Sequence, residues 1–192
     1  MKDIVFYILL LFTIPSAFAA DSFGASVSRK GGNEYYPTYL TYNEKGLISL
    51  SSGTIFKVGW GNNSLLRFFE IHLEDHQKLF KKYLEWSTMA EGKDKQPFNK
   101  KMGDAKCCDL KDGNTLDYEY VFFAKKTLAD TISTSIECYA VTRNKLGVEI
   151  DKSLSAVFSK ESIEFFVKNF EEFESIKKEL LEHKSNVEKV YK

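Results

Sequence analysis

The central β-hairpin of this chain is encoded by the stretch CCDLKDGNTLDYEYVFF, residues 107–123. Asp112-Gly113 lies at its centre and is a strong short-range hairpin signal, because these residue types accept the backbone angles of a tight turn. The flanking residues are rich in tyrosine and phenylalanine, which are typical of strands. Alternation then predicts one apolar face on the second strand, formed by Leu116, Tyr118, Tyr120 and Phe122.

Downstream of the hairpin, the segment TISTSIECYAV (residues 131–141) reads as a further strand, and VEI and LSAVF read as short strands after a turn. From Ser159 onward, apolar residues recur at spacings of three and four without a proline or glycine. This pattern predicts a C-terminal helix of about 30 residues, ~45 Å long. We expect its first half to pack on the sheet and its last ten or so residues to project or fray.

Upstream of the hairpin, EDHQKLFKKYLEWSTMA (residues 74–90) predicts a helix whose apolar stripe is formed by Leu79, Tyr83, Trp86 and Ala90. The region before it consists of strand and turn signals. EYYPTYLTY (residues 34–42), a hairpin over residues 47–60 and SLLRFFEIHL (residues 64–73) are its main elements. The chain is therefore predicted to be α+β, with an antiparallel sheet of short strands and hairpins, a mid-chain helix and a long C-terminal helix packed on it.

Two stretches of the chain resemble each other. IHLEDHQKLFKKYLEW (residues 71–86) and VFSKESIEFFVKNFEE (residues 157–172) both run from a strand end through an acidic helix start into a phenylalanine-rich helix. An internal duplication is one interpretation. The other is that any junction between a strand and a helix has this pattern.

The N-terminus has the features of a secretory signal peptide. Lys2 provides the positive charge, Ile4 to Ile14 form an apolar run, and Ala17-Phe18-Ala19 fits the cleavage rule. The run is too short to span ~30 Å of hydrocarbon, and no cysteine marks a lipoprotein cleavage site. The sequence thus predicts removal of residues 1–20, one domain over residues 21–192, and a periplasmic or secreted location without stable membrane insertion.

Composition narrows the classes of partner. The 27 basic and 27 acidic residues balance, which argues against nucleic-acid binding because that function requires a net basic face. The sixteen phenylalanines, ten tyrosines and two tryptophans supply large apolar side chains for a core. We therefore expect an ordered globular protein.

Three cysteines occur, and an exported chain meets an oxidising environment that favours disulfides. Alternation along the strands places Cys108 and Cys138 on apolar faces and points Cys107 outward. We therefore predict a Cys108–Cys138 disulfide and a free Cys107. If the strand of Leu116 lies between the two cysteines, their sulfurs are too far apart and both are buried thiols instead. A leftover Cys107 indicates intermolecular pairing, a reactive thiol, or no function at all.

Metal-ligating residue types cluster in FEIHLEDH, residues 69–76. Histidine and carboxylate side chains suit divalent cations such as zinc, so the candidate ligands are Glu70, His72, Glu74 and His76. Because a boundary between strand and helix falls within this stretch, the four side chains need not share a face. The alternative is that Glu74 and Asp75 stabilise the helix start and the histidines are surface residues.

The sequence contains no motif for nucleophilic catalysis and no phosphate-binding loop, and it nominates no catalytic residue. The functional hypothesis is an exported, non-enzymatic module without a cofactor that binds a ligand, an unknown protein partner or a second copy of itself. The C-terminal helix and an outward Cys107 would serve such a partner. The alternative hypothesis is a metal-binding protein or metal-dependent enzyme that uses His72 and His76.

Overall fold

The structure is a computed structural model that describes residues 25–32, 37–53, 64–91 and 96–190. The predicted signal peptide, residues 1–20, and the second strand of the hairpin predicted over residues 47–60 lie outside the described residues. In the described part of the chain, no helix is both long enough and apolar enough to cross a membrane.

Two four-stranded sheets, rather than one, make up the β-structure of the described residues. The first sheet contains, in spatial order, β1 (Ser26–Gly32), β2 (Pro37–Asn43), β3 (Leu47–Ser52) and β4 (Ser64–Phe69). The second contains, also in order, β5 (Phe98–Asp109), β6 (Thr115–Lys126), β7 (Ile132–Arg143) and β8 (Glu149–Ser159). Every neighbouring pair within each sheet is antiparallel.

The predicted hairpin around Asp112-Gly113 is confirmed as the β5–β6 connection. Leu110 and Asn114 close the turn, with the Leu110 amide donating to the Asn114 carbonyl at 2.8 Å. Gly113 adopts a φ of 80°, a conformation that a side chain would strain. On β6 the predicted apolar face is also confirmed in its central part, since Tyr118, Tyr120 and Phe122 are buried.

Three helices accompany the sheets in the described residues. A short 3-10 turn (Glu70–His72) leads into α1 (Leu73–Ala90), and β8 leads into α2 (Lys160–Glu171) and α3 (Phe173–Val190). The single long C-terminal helix is corrected to two helices that meet at Glu172. After the break, the apolar residues of α3 still face the first sheet. The Phe173 ring lies 5.0 Å from the Tyr42 ring of β2.

Each sheet is covered by a helix that follows the other sheet. Helix α1 begins after β4 but packs against β5, β6 and β7. Helix α2 begins after β8, contacts β7 and β8, and reaches across to β1 and β2, where α3 also packs. The two sheets and three helices therefore share one hydrophobic core. The predicted α+β class, with antiparallel strands, a mid-chain helix and a C-terminal helical region, is confirmed.

The chain contains the same arrangement twice: four sequential antiparallel strands, β1–β4 or β5–β8, are followed by a helix, α1 or α2. Residues 86 positions apart are buried in both helices, in the pairs His76 and Ser162, Phe80 and Phe166, and Tyr83 and Asn169. The rings of Phe80 and Phe166 meet edge to face at the centre of the molecule, with their centroids 4.9 Å apart. The shared topology favours the internal-duplication interpretation over a chance likeness of two junctions.

Candidate functional site

The structure corrects the predicted Cys108–Cys138 disulfide. Cys108 lies on β5 and Cys138 on β7, and β6 lies between these strands. All three cysteines are free and buried. This is the geometry in which the sulfurs of Cys108 and Cys138 are too far apart to bond.

The prediction that Cys107 points outward is wrong because β5 contains a β-bulge. The register of β5 against β6 shifts between Lys106 and Cys108, so Cys107 is an extra residue that interrupts the alternation of faces. Cys107 is 1% exposed and its neighbour Cys108 is 6% exposed. Their sulfur atoms lie 3.5 Å apart. We call this pair the Cys107–Cys108 bulge.

The two thiols of the bulge differ in acidity. The contact with the Cys108 sulfur, together with burial, raises the pKa of Cys107. The same contact between the two sulfurs lowers the pKa of Cys108 against the opposing effect of burial. Burial raises the pKa of Cys138 well above its ordinary value. Cys108 is therefore the most readily ionised of the three thiols.

His76 sits beside the bulge as a buried, neutral histidine. Its Nε2 lies 2.9 Å from the Lys106 carbonyl, which can only accept, so Nε2 carries the proton. Its Nδ1 then accepts from the Tyr120 hydroxyl at 2.6 Å. Burial lowers the pKa of His76 to about 4, and the ring stacks on Phe68 at a centroid distance of 4.1 Å.

A side chain of α1 and backbone groups of β4 hold the bulge in place. From α1, His76 bonds the carbonyl of Lys106, the residue before Cys107. From β4, the Arg67 carbonyl accepts from the Cys107 thiol at 3.0 Å, while the Arg67 amide donates to the Tyr118 hydroxyl at 3.4 Å. The bulge is thus a junction between the two sheets and α1.

The four candidate metal ligands do not converge. Both ring nitrogens of His76 are already bonded, and His72 lies in the preceding 3-10 turn. Glu70 accepts from the Tyr42 hydroxyl at 2.7 Å and pairs with Lys177, while Glu74 pairs with Lys78 at 2.9 Å. Within the residues that the structure describes, no three His, Cys, Asp or Glu side chains are grouped to hold a metal ion.

An apolar cleft of about 450 Å³ opens between the end of α1 and the start of β5. It is lined by Trp86, Met89, Ala90, Gln96, Phe98 and Lys100, and we call it the Trp86 cleft. Met89 is 63% exposed and Phe98 is 45% exposed, so large apolar side chains face solvent here. The sequence placed Trp86 in the apolar stripe of a helix but gave no signal that a cleft forms beside it.

The aromatic walls of the Trp86 cleft rest on the core of the second sheet. Phe122 of β6 contacts the Trp86 ring at a centroid distance of 5.7 Å and the Phe98 ring at 5.2 Å. Both rings are therefore positioned by a fully buried neighbour. A wall held in this way binds a flat or extended apolar group without first having to be ordered.

Two ammonium groups approach the Trp86 ring, and one of them, that of Lys100, belongs to a lining residue of the cleft. The Nζ atoms of Lys82 and Lys100 lie 4.9 and 5.2 Å from the centre of the Trp86 ring, and Lys82 also donates to the Met102 carbonyl at 2.8 Å. No carboxylate among the described residues forms an ion pair with either lysine. The rim therefore carries positive charge that is not neutralised by those residues.

A second cavity of about 510 Å³ lies beside Tyr42, Phe69 and Glu70. One of its lining residues, Glu70, already accepts a hydrogen bond from the Tyr42 hydroxyl and pairs with Lys177. These two partners lower the pKa of Glu70 against the opposing effect of its burial. The Glu70 carboxylate of this cavity is therefore already engaged by groups of the chain itself.

Comparison of the chain with protein-family models, with curated proteins and with solved structures gave no match.

Proposed function

We propose that this protein is an exported, non-enzymatic module that binds a small amphipathic anion in the Trp86 cleft. The observation that carries the proposal is an apolar cleft with two lysine ammonium groups at its aromatic wall. Its volume of about 450 Å³ falls within the ~300–1,000 Å³ of small-molecule pockets. The support for export is the N-terminal sequence, with Lys2, the apolar run and the cleavage site.

The apolar part of the ligand is set by the walls. Trp86, Met89 and Phe98 offer a surface for an aromatic ring or a short alkyl chain. Each methylene transferred from water gains about 0.8 kcal/mol, and the loss of translational and rotational freedom opposes this gain. A ligand with a chain of about eight carbons is therefore expected to bind with a Kd between about 10 μM and 1 mM.

The lysine at the rim of the Trp86 cleft determines the charge that a ligand should carry. A carboxylate at the mouth of the cleft would accept a charge-assisted hydrogen bond from Lys100, which lines the cleft. Lys82 approaches the same ring and adds to the positive field. A cationic amphiphile of equal length would be repelled by both lysines, so charge discriminates between ligands of the same apolar area.

The test follows the fluorescence of Trp86 in a Trp60→Phe background, which leaves Trp86 as the one tryptophan of the chain. Octanoate, octanol and octyltrimethylammonium are titrated separately. We expect octanoate to bind about tenfold more tightly than the cation, with octanol between them, since about 1.4 kcal/mol of charge interaction equals a factor of ten. Equal affinity for all three, or no saturable response to octanoate, would contradict the proposal.

Two lysine variants locate the site. Lys100→Met keeps the alkyl stem and removes the charge, so it is expected to weaken octanoate binding about fivefold to tenfold and leave octanol unchanged. Lys81→Met is the matched control, because Lys81 is exposed on α1, the helix that carries Trp86, and is not a lining residue. If both variants changed octanoate binding equally, the effect would come from net charge and not from the Trp86 cleft.

A further inference from the structure

We propose that the Cys107–Cys108 bulge is a redox site, at which the two adjacent thiols form a reversible disulfide by exchange with a low-molecular-weight disulfide. The pair lies on β5 and uses none of the residues that line the Trp86 cleft. The inference therefore stands or falls independently of the proposed ligand.

The geometry selects this pair from the three thiols. Adjacent side chains of a regular strand point to opposite faces, but the bulge turns both cysteines to the buried side. Their sulfurs lie 3.5 Å apart, and a bond of ~2.05 Å requires them to approach by about 1.5 Å. Cys138 is separated from β5 by the whole of β6, so it has no comparable access to either partner.

The order of events follows from exposure and acidity. Cys108 is the more exposed of the pair, at 6% against 1%, and its pKa is lowered by the contact with Cys107. Its thiolate attacks one sulfur of the small disulfide, forming a mixed disulfide and releasing one small thiolate. The thiolate of Cys107, whose proton passes to that leaving group, then attacks the Cys108 sulfur and expels the second small thiolate, which takes up the proton that Cys108 released.

The reaction balances without another reagent. Two protein thiols and one small disulfide give one protein disulfide and two small thiols, so the protein loses two protons and two electrons. Neighbouring Cα atoms are ~3.8 Å apart, below the ~4.4–6.8 Å usual for disulfides, and bonds outside that range are more readily reduced. A small thiol therefore reverses the step.

Oxidation would also change the junction between the sheets. The Cys107 thiol donates to the Arg67 carbonyl of β4 in the reduced state, and a disulfide sulfur has no proton to donate. The oxidised bulge therefore loses this bond while His76 still holds the Lys106 carbonyl. This links the redox state to the contact between β4 and β5.

Peptide mapping of the folded full chain tests the proposal directly. The chain is incubated with oxidised glutathione at neutral pH, then denatured, alkylated with iodoacetamide and digested with trypsin. Cleavage after lysine and arginine separates the peptide CCDLK (residues 107–111) from TLADTISTSIECYAVTR (residues 127–143), which contains Cys138. We expect CCDLK to be two hydrogens lighter than its dithiol form, without alkyl groups, and Cys138 to be alkylated.

Three outcomes would overturn the proposal: CCDLK with two alkyl groups after oxidation, a glutathione adduct that persists on it, or a cross-link that joins it to the Cys138 peptide. Reduction with dithiothreitol before alkylation should restore two alkyl groups, and a failure to do so would contradict reversibility. Cys138→Ser should keep the mass loss. Cys107→Ser should instead trap glutathione on Cys108, and absence of that adduct would refute attack by Cys108.

Discussion

Helix α1 and helix α2 occupy corresponding places in the two units of four strands and a helix, yet they carry different chemistry. The inward position near the start of each helix is His76 in α1 and Ser162 in α2, and both residues are buried. His76 bonds Tyr120 of β6, and the Ser162 hydroxyl bonds Thr38 of β2 at 2.9 Å. In each case a polar side chain reaches the second strand of the opposite sheet.

The difference shows that one scaffold position can hold either a titratable or a non-titratable group, provided that its hydrogen bonds are satisfied. Both candidate sites lie where α1 of the first unit packs against β5 of the second unit. The position that corresponds to Trp86 is Glu172, where the second helical region breaks. The strand that corresponds to β5 is β1, which pairs with β2 in continuous register and has no bulge. Asymmetry between the units therefore coincides with the candidate functional features.

The largest expected loss of stability comes from truncating a side chain at the contact between the two units. Phe80 and Phe166 are buried at 0% and 1% exposure, and their rings meet at 4.9 Å. Truncating either residue to alanine leaves a cavity that should cost about 3–5 kcal/mol of unfolding free energy. Urea denaturation of Phe80→Ala and Phe166→Ala measures the loss in each unit.

Similar losses in the two variants would support their equivalent roles. The double variant should lose less than the sum of the two, because each single truncation already removes the shared contact. Phe123→Ala is the control, since Phe123 lies on β6 with its side chain on the face opposite Phe122 and is only partly buried. If Phe80→Ala cost no more than Phe123→Ala, the central contact would not hold the units together.

The second largest expected effect is a pH dependence of the unfolding free energy that arises from His76 of α1 and has no counterpart at Ser162 of α2. The pKa of His76 falls from 6.5 to about 4 on folding, so between these values the unfolded chain binds one proton more than the folded chain. Stability therefore falls as pH falls through this window, by about 2 kcal/mol at pH 5 and about 3 kcal/mol in full. Urea unfolding at pH 7, 6 and 5 measures the slope.

Matched variants assign the slope to His76. His76→Gln removes the titrating group, so its stability should change by about 2 kcal/mol less between pH 7 and pH 5 than that of the wild type. Ser162→Ala should lower stability by about 1–3 kcal/mol at every pH and keep the slope. The carboxylates of Glu70 and Glu119 have pKa values lowered from 4.5, so they reduce stability mainly below pH 5, and this contribution is common to the wild type and His76→Gln. An unchanged slope in His76→Gln would contradict the assignment.

The elements that depend on local sequence could be predicted. Asp112-Gly113 specifies its turn through backbone angles that few residues accept, and alternation identified the buried face of β6. The 3.6-residue period likewise identified α1, although the sequence did not show that its first turn buries His76 against Tyr120. In each of these elements, the determining contacts lie within a few residues of one another.

Features that depend on residues distant in sequence could not be predicted. The buried Cys107 results from a bulge in the register of β5 against β6, and alternation alone assigns it to the wrong face. The separation of Cys108 from Cys138 depends on strand order. The helix break at Glu172 could not be predicted, because no proline or glycine lies there. The Trp86 cleft could not be predicted either, because it forms where the start of β5 lies beside the end of α1.

The smallest expected effect separates the two helix starts. Ser159 has an extended backbone, and its side chain accepts from the Ser162 amide, so Ser159→Ala should cost about 1 kcal/mol. His72 precedes α1 with φ −108° and ψ 1° and makes no side-chain cap. This backbone lacks the extended geometry that a capping oxygen requires, because the 3-10 turn Glu70–His72 already leads into the helix. His72→Ser is therefore expected to change stability by less than about 0.5 kcal/mol. Urea midpoints of the two variants at pH 7 make the comparison, and a gain of 1 kcal/mol from His72→Ser would mean that both helices begin in the same way.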